Sequence, residues 1–229
     1  DEIGQLAENN IGSTFCNKPL QSIDYQYNIR GWMTGINTLA GPTRDLNADR
    51  FNLVLRYNTG ETPVYNGNIS SLSWRTGVGK QLWRRYEYKY DKMSRLLQAD
   101  FYGPSGEDYD IPGIRYDLNG NIRRLQRKGK IGTTRYGQLD KLSYTYLGNR
   151  LNRLYESSHR QVLKDIDHFT SRSNGSAYSY DANGNLSYDP HKRIRFTYNH
   201  LNKPIRAEFR NNSFINWIYS ADGTKLQEQ

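Results

Sequence analysis

Cysteine is almost absent from this sequence of 229 residues, and its scarcity limits the covalent chemistry open to the chain. Cys16 is the only cysteine, so an internal disulfide is excluded. This is compatible with an exported protein that folds without disulfides, but it does not demonstrate export. Cys16 also has no neighbour of the kind that activates a thiol for catalysis.

Long apolar stretches are missing too. No run approaches the roughly 20 apolar residues of a transmembrane helix, and the N-terminus does not resemble a signal peptide. Only 35% of residues are hydrophobic and the mean hydropathy is -0.91, which is too polar for a thick sandwich core. The 19 tyrosines nevertheless make the chain too aromatic for a disordered protein. A single twisted sheet, largely solvated on both faces, fits this composition best.

Signatures of catalysis and of metal binding are scarce. The segment Gly77–Lys80 lacks the other residues of a phosphate loop, because Trp74 and Gln81 occupy their positions. No G-x-S-x-G motif occurs. The histidines show no i, i+4 spacing and have no cysteine partner; they are His159, His168, His191 and His200. We therefore predict a protein that is not an enzyme and has no catalytic, cofactor-binding or metal-binding residues.

The sequence does contain a recurring motif that begins with tyrosine. It is Y-D-L-N-G-N-I at Tyr116, Y-D-A-N-G-N-L at Tyr180 and Y-N-G-N-I at Tyr65. Looser copies begin at Tyr27, Tyr90, Tyr198 and Tyr219, and a contracted copy begins at Tyr146. A recurring unit indicates a chain built by repetition. The predicted structural positions are Tyr27, Gly31, Tyr65, Gly67, Tyr90, Tyr116, Asp117, Gly120, Asn121, Tyr146, Tyr180, Asp181, Gly184, Asn185, Tyr198, Tyr219 and Gly223.

Each unit has the pattern of a strand, a tight turn and a second strand. Tyrosines alternate with other residues before the turn, as in the run from Tyr86 to Tyr90, which places them on one strand face. Asn-Gly pairs then provide the strongest short-range hairpin signal. We predict an all-β protein in which tandem hairpins form a long, twisted antiparallel sheet. Residues 1–229 form one continuous repeat region, because no linker divides them.

Both ends of the chain fall within a unit. Gly4 and Leu6 fit the fourth and sixth positions of a unit whose tyrosine would precede Asp1. The last unit, from Tyr219 to Leu226, has nothing after it. We therefore expect the sequence to be a piece of a longer repeat protein.

The motif Asp117-x-Asn119-x-Asn121 superficially resembles a calcium loop, as does the equivalent motif at Asp181. An EF-hand loop needs glycine at its sixth position and glutamate at its twelfth, whereas here glycine is fourth and Lys128 is twelfth. The favoured interpretation is that the aspartate caps the turn through a bond to the backbone.

Basic residues cluster in two places, and the formal net charge is +9. The clusters are Arg123, Arg124, Arg127, Lys128 and Lys130, and Lys80, Arg84, Arg85 and Lys89. Trp83, Tyr86 and Tyr88 interleave with the second cluster. Such a surface could be a solvated or lumen-facing face of a wall, or it could bind sugar rings or stacked nucleic-acid bases. We favour the wall, then sugars, with nucleic acid the least favoured partner.

The tyrosine units resemble RHS or YD repeats, in particular those of Bacteroidota-type RHS arrays. The resemblance rests on Y-N-I-R-G-W from Tyr27, Y-N-G-N-I from Tyr65 and Y-D-A-N-G-N-L from Tyr180, and it covers essentially the whole chain. It implies a β-sheet strip that spirals into part of a hollow shell around a C-terminal toxin-like polypeptide. It also implies a secreted or bacterial cell-surface (outer-membrane associated) protein.

Self-cleavage, which the family supports through a D-P-x-G-type segment, is not carried over. Asp189-Pro190 is the only Asp-Pro pair, and His191 follows it where the glycine-containing continuation would stand. The partners implied are the rest of the parent chain or a partner protein chain, and an enclosed toxin domain. The main alternative is a cell-surface carbohydrate-binding or adhesion module, with glycans as partners. A carbohydrate-active enzyme with two carboxylates in a concave site is a further alternative.

Overall fold

The protein consists of β-strands and turns throughout the residues that the structure describes. The structure is a computed structural model that describes residues 3–12, 19–38, 49–77, 82–158, 168–170 and 173–229. Cys16, His159 and residues 78–81 of the glycine-rich segment lie outside these ranges. Within them no helix occurs, so the predicted all-β class is confirmed.

The described residues form seventeen strands. Their bounds are β1 Glu8–Ile11, β2 Gln21–Tyr27, β3 Met33–Ile36, β4 Phe51–Arg56, β5 Ser71–Thr76, β6 Arg84–Tyr90, β7 Leu96–Tyr102, β8 Gly113–Tyr116, β9 Ile122–Lys130, β10 Tyr136–Leu147, β11 Arg150–Glu156, β12 Ser179–Tyr180, β13 Leu186–Asp189, β14 Ile194–Tyr198, β15 Pro204–Phe209, β16 Phe214–Tyr219 and β17 Lys225–Glu228.

The strands pair in the order in which they occur in the sequence. Strands β1 to β7 form a seven-stranded sheet, β12 to β17 form a six-stranded sheet, and the order β11-β10-β9-β8 describes a four-stranded sheet. The pairs are antiparallel, from β1 with β2 to β16 with β17. Within each of these three sheets, successive strands of the chain are therefore neighbours, in agreement with the tandem-hairpin prediction.

The chain forms two compact units. Unit 1 comprises Asp1–Gly113 and Lys128–Gly137, and unit 2 comprises Ile114–Arg127 and Gln138–Gln229. Among the described residues, the buried apolar ones are Tyr57 and Ala99 in unit 1, and Ile114, Leu139, Leu142, Leu154 and Ala207 in unit 2. So few buried apolar residues make a thin core, and much of the stabilisation must come from strand pairing and cross-strand contacts.

An aromatic ladder crosses the strands of unit 1. Tyr86 stacks on Trp74 with ring centroids 5.7 Å apart, and it meets Phe101 edge-on at 5.3 Å. Phe101 in turn meets Tyr109, and Tyr109 meets Tyr136, at 5.2 Å each. Edge-to-face and offset pairs each stabilise by about 0.5–1.5 kcal/mol beyond their area burial. The ladder therefore supplies cohesion that the thin core lacks.

The turns of the repeat units share one hydrogen-bonding scheme. An Asp or Asn follows the tyrosine, and its side-chain oxygen accepts from the backbone N–H groups two and four residues later. These capping residues are Asn28, Asp91, Asp117, Asp181 and Asn199, at distances of 2.8–3.0 Å. A short polar side chain can replace a missing backbone partner in this way. Asp117 thus has the capping role expected from the sequence.

Four residues after the tyrosine, the backbone takes a left-handed conformation. The residues are Gly31, Ser94, Gly120, Gly184, Asn202 and Gly223, with φ between 57° and 88°. Glycine adopts such angles without strain and asparagine tolerates them. This conformation explains why a small or turn-forming residue recurs at that offset.

The tyrosine itself lies at a β-bulge. The register shifts just before Tyr27, Tyr90, Tyr146, Tyr180, Tyr198 and Tyr219. After the shift Tyr90 pairs with Leu96 and Tyr180 with Leu186, six positions later in each case. A bulge increases the local twist of a strand, so these six repeats gain twist at the same position of the unit.

Replacing Gly184 by alanine should test the backbone requirement of these turns. Gly184 has φ 87° and nothing lies within 4 Å of the position a Cβ would take, so only backbone strain opposes the substitution. We expect Gly184→Ala to lower the free energy of unfolding by about 1 kcal/mol, measured by thermal or chemical denaturation.

Gly113→Ala is the matched control. Gly113 also has open space around the position of a Cβ, but its φ is outside the positive range. The control should be close to neutral. Equal losses in both variants would contradict the role given to the left-handed conformation.

Candidate functional site

In five of the predicted units, the tyrosine that opens the unit is hydrogen-bonded to the preceding hairpin. Its hydroxyl donates to the backbone carbonyl of the residue just after the preceding turn. The pairs are Tyr27 to Leu6 (3.1 Å), Tyr90 to Ile69 (2.8 Å), Tyr146 to Ile122 (2.8 Å), Tyr180 to Leu151 (2.7 Å) and Tyr198 to Leu186 (2.9 Å). We call these bonds the tyrosine latches. They connect successive repeats through a contact that strand pairing alone does not make.

The latch tyrosines are held in their donor form. Burial raises the pKa of Tyr90, Tyr146, Tyr180 and Tyr198 above the ordinary value of a phenol. A neutral hydroxyl is a donor, whereas a phenolate only accepts. The latches are therefore intact at neutral pH.

A second contact joins the turns themselves. Asn119 and Asn121 both donate from Nδ2 to Oδ1 of Asn149 in the next unit, at 3.0 and 3.1 Å. Asn183 and Asn185 donate in the same way to Oδ1 of Asn202, at 3.1 and 2.8 Å.

Asn66 and Asn68 reach the next unit as well. Their amides donate to Oγ and to the backbone oxygen of Ser94, at 2.6 and 3.4 Å. The second asparagine of N-x-N was not assigned a contact with the next unit from the sequence. Its recurrence beside an Asn or Ser in the following turn is the signal that could have revealed it.

The structure differs from the sequence prediction at Tyr65. Tyr65 lies outside the strands, because β4 already ends at Arg56. It is 69% exposed. The latch of this repeat comes from Tyr57, whose hydroxyl donates to the carbonyl of Met33 at 2.8 Å. Tyr57 begins Y-N-T-G, but a longer connection separates it from the returning strand β5, and this length obscures the motif.

The remaining predicted positions fall where hairpins begin and end. Tyr27, Tyr90, Tyr116, Tyr180, Tyr198 and Tyr219 end strands β2, β6, β8, β12, β14 and β16, and Tyr146 is the penultimate residue of β10. Gly67 has φ 96° like the other turn glycines. Asp117 and Asp181 also accept hydrogen bonds from the side chains of Asn121 and Asn185 at 3.0 Å, which lowers the pKa of both carboxyl groups.

Several residues of the two basic clusters are paired with carboxylates. Arg84 forms a two-pronged ion pair with Glu107 at 2.6 and 2.7 Å, and Lys89 lies 3.0 Å from Asp100. In the other cluster Arg127 binds Asp140, and Lys128 binds both Asp108 and Asp110. This pairing reduces the positive charge that a nucleic-acid backbone could use.

A cavity of about 840 Å³ in unit 2 is lined by acidic, basic, aromatic and aliphatic side chains. Asp140, His168 and His191 line it. Asp140 already accepts from Arg127 Nε at 2.7 Å and from the backbone N–H of Phe169 at 2.8 Å. Burial lowers the pKa of His191. The described residues contain no group of three or more His, Cys, Asp or Glu side chains able to hold a metal ion. This geometry favours a packing role for the cavity side chains.

No protein-family model matches the chain, and no curated protein matches it. Solved structures do. The fold is similar to the crystal structure of TcdB2-TccC3-TEV, with a TM-score of 0.55 and 13% identity over 96% of this chain and 12% of that chain. It is also similar to the structure of the Photorhabdus luminescens Tc holotoxin pore, with a TM-score of 0.55 and 14% identity over 92% of this chain and 11% of that one.

The chain therefore spans about one eighth or less of the length of these structures. At such low identity the likeness shows the fold alone, which is an antiparallel sheet of hairpin strands. Among the described residues no helix is long and apolar enough to cross a membrane.

Removing a latch hydroxyl should weaken unit 2 without disturbing its shape. Tyr146→Phe and Tyr180→Phe each delete one hydrogen bond of 2.8 or 2.7 Å. We expect each to lower the free energy of unfolding by about 1 kcal/mol, measured by denaturant titration.

Tyr219→Phe is the control, since Tyr219 occupies the same position of a unit but its hydroxyl bonds no described residue. It should change stability little. If Tyr146→Phe and Tyr180→Phe were as stable as this control, the latches would not hold the hairpins together.

Alkaline pH should destabilise the fold through its buried tyrosines. Burial raises the pKa of Tyr88 and Tyr144 to about 12, whereas an unfolded tyrosine titrates near 10. The folded state therefore retains protons that the unfolded state loses, so stability is full below about pH 10 and falls as pH rises towards 12. Tyrosine ionisation is followed by the absorbance of tyrosinate, and unfolding is followed by circular dichroism in the same pH titration.

Tyr144→Phe removes one of these ionisations and should move the midpoint of alkaline unfolding to higher pH. An unchanged midpoint would assign the alkaline transition to other groups.

Proposed function

We propose that this chain is a wall segment of an RHS-type shell that encloses a second, toxin-like polypeptide. The observation that carries the proposal is the tyrosine latch, repeated from Tyr27 to Tyr198. Within unit 1 and within unit 2, each latch joins a hairpin to the one before it, so the joined hairpins act as a continuous barrier instead of independent modules. Containment by such a barrier needs no active site.

The surface chemistry supports a wall that is wet on both sides. Few apolar side chains are buried, and polar residues such as Ser71, Asn52 and Asp140 are among the buried ones. A wall between solvent and a lumen requires polar faces, whereas a soluble globular enzyme of this length usually buries a thick apolar core. The similarity of fold to Tc toxin structures over 96% of the chain agrees with this role.

The exposed edges of the sheets support the choice of partner in this proposal. Strand β17, Lys225–Glu228, pairs with β16 on one side, and all four of its residues are exposed. Strand β1 is likewise the edge of the seven-stranded sheet. Exposed edges invite pairing with another strand. The partner we propose is further hairpins of the same RHS array, either in the parent chain or in a partner chain.

Secretion or attachment to the bacterial cell surface belongs to the same proposal. It rests on the resemblance of the tyrosine units to RHS arrays and on the fold shared with toxin structures. Saccharide recognition, the alternative left open by the sequence, depends on a different surface and is compatible with a wall.

Limited proteolysis of the complete gene product that contains this chain tests containment. The polypeptide downstream of the repeats should resist protease while the shell is intact, and should be cleaved at the usual rate when produced by itself. Electron microscopy of the same sample should show a hollow particle.

The double variant Tyr146→Phe/Tyr180→Phe should make digestion of the protected polypeptide several-fold faster, because weakened latches open the wall more often. Tyr219→Phe should not. Equal digestion of the enclosed and the isolated polypeptide would overturn the proposal.

A further inference from the structure

A shallow cleft of about 460 Å³ lies on one face of the seven-stranded sheet, within unit 1. Its floor and walls come from four adjacent strands. Val54, Ser73, Arg85 and Tyr102 are successive cross-strand partners on β4, β5, β6 and β7. The buried Ser73 has the smallest side chain of this row, so the sheet is recessed there between larger neighbours.

Two large aromatic side chains stand beside this recess. Trp83 is 44% exposed and Tyr102 is 43% exposed, and both line the cleft. The opposite face of the same strands carries the aromatic ladder of Trp74, Tyr86 and Phe101. Trp83 and Tyr102 therefore lie apart from the ladder, on a face whose other residues are mainly polar or charged.

Guanidinium groups hold both rings in place. Arg85 Cζ lies 4.5 Å from the ring centroid of Tyr102, and Arg75 Cζ lies 5.2 Å from that of Trp83. Cation–π contacts of this kind fix the orientation of a ring, which reduces the entropy lost when a ligand stacks on it. The cleft is thus preorganised.

The charge of the lining is positive. Arg56 and Arg85 contribute guanidinium groups, and among the described residues no carboxylate lines the cleft. Glu87, outside the lining, lies 3.3 Å from Arg85 and compensates it in part. No described carboxylate pairs with Arg56, and its planar donor group suits a carboxylate ligand.

We propose that this cleft binds an acidic saccharide. Trp83 and Tyr102 supply apolar platforms for the C–H faces of sugar rings, and Arg56 and Arg85 bind the sugar carboxylate. A volume of about 460 Å³ lies within the range of small-molecule sites, enough for one or two sugar rings. A nucleic acid would need a continuous basic track, whereas Arg84 and Lys89 on the same strand are already paired with Glu107 and Asp100.

The test is a titration of the 229-residue chain, followed by tryptophan fluorescence and saturation-transfer NMR. The probes are trimers of galacturonic acid and of galactose, and a single-stranded oligonucleotide. We expect the acidic trimer to bind about tenfold more tightly than the neutral one, since one charge-assisted contact is lost with the latter. Arg56→Gln should reduce this difference several-fold, because only Arg85 then remains in the lining to bind the carboxylate.

Trp83→Ala should weaken binding of the acidic trimer by about tenfold, as removal of an aromatic anchor does elsewhere. Phe214→Ala is the matched control. Phe214 is 48% exposed and also carries a guanidinium, that of Arg206 at 4.1 Å, but it lies in unit 2. The Phe214→Ala variant should bind the acidic trimer as tightly as the unsubstituted chain does. Circular dichroism verifies that the Trp83→Ala and Phe214→Ala variants are both folded.

Three results would overturn the proposal. They are the absence of binding by either trimer, equal binding by the folded Trp83→Ala variant, and oligonucleotide binding as tight as that of the acidic trimer. The last result would show that the cleft recognises negative charge rather than sugar.

Discussion

The hydrogen bond from a tyrosine hydroxyl to the carbonyl of the preceding hairpin is the contact on which the structure most depends. Strand pairing makes the sheet, but ladder bonds alone permit register slips where side-chain patterns are weak. A latch such as Tyr180 to Leu151 requires one particular register, because the donor reaches a single backbone oxygen. A bulge at the tyrosine and a left-handed residue four positions later produce the same local geometry at Tyr27, Tyr90, Tyr180, Tyr198 and Tyr219. The repeated combination of latch, bulge and turn thus supplies stability that a large apolar core provides in other folds.

A thin core has consequences for the surfaces. Since few apolar side chains are buried, cohesion is distributed among cross-strand aromatic pairs, ion pairs and arginine–aromatic contacts. The pair formed by Arg85 and Tyr102, and the one formed by Arg206 and Phe214, place a flat cationic group on a ring that is half exposed. The same contacts that stabilise the sheets therefore leave exposed aromatic rings on which a ligand can stack. The proposed saccharide cleft follows from this property of the sheets and is compatible with the proposed role as a wall.

The capping residues explain why the repeat tolerates sequence variation. Asn28 and Asn199 accept the same two backbone hydrogen bonds as Asp117 and Asp181. What the turn requires is a short side chain with an acceptor oxygen, and charge is secondary. Similarly, Ser94 and Asn202 take the left-handed position that glycine occupies in other units. A motif defined by geometry can therefore drift in sequence, in keeping with a shared fold at 13% identity.

The sequence by itself determined the class of the fold, the hairpins and the order in which they pair, because period-two tyrosines and Asn-Gly turns are local signals. It also identified the capping of turns by Asp117 and Asp181, since that bond spans two to four residues. Only the tertiary structure decided that Tyr57 takes the place of Tyr65 in a latch and that Asn121 and Asn185 bind the next turn. It alone placed Trp83, Arg56 and Tyr102 around one cleft. These contacts join residues 17 to 46 positions apart, and their geometry depends on bulges and connection lengths that local sequence preferences do not specify.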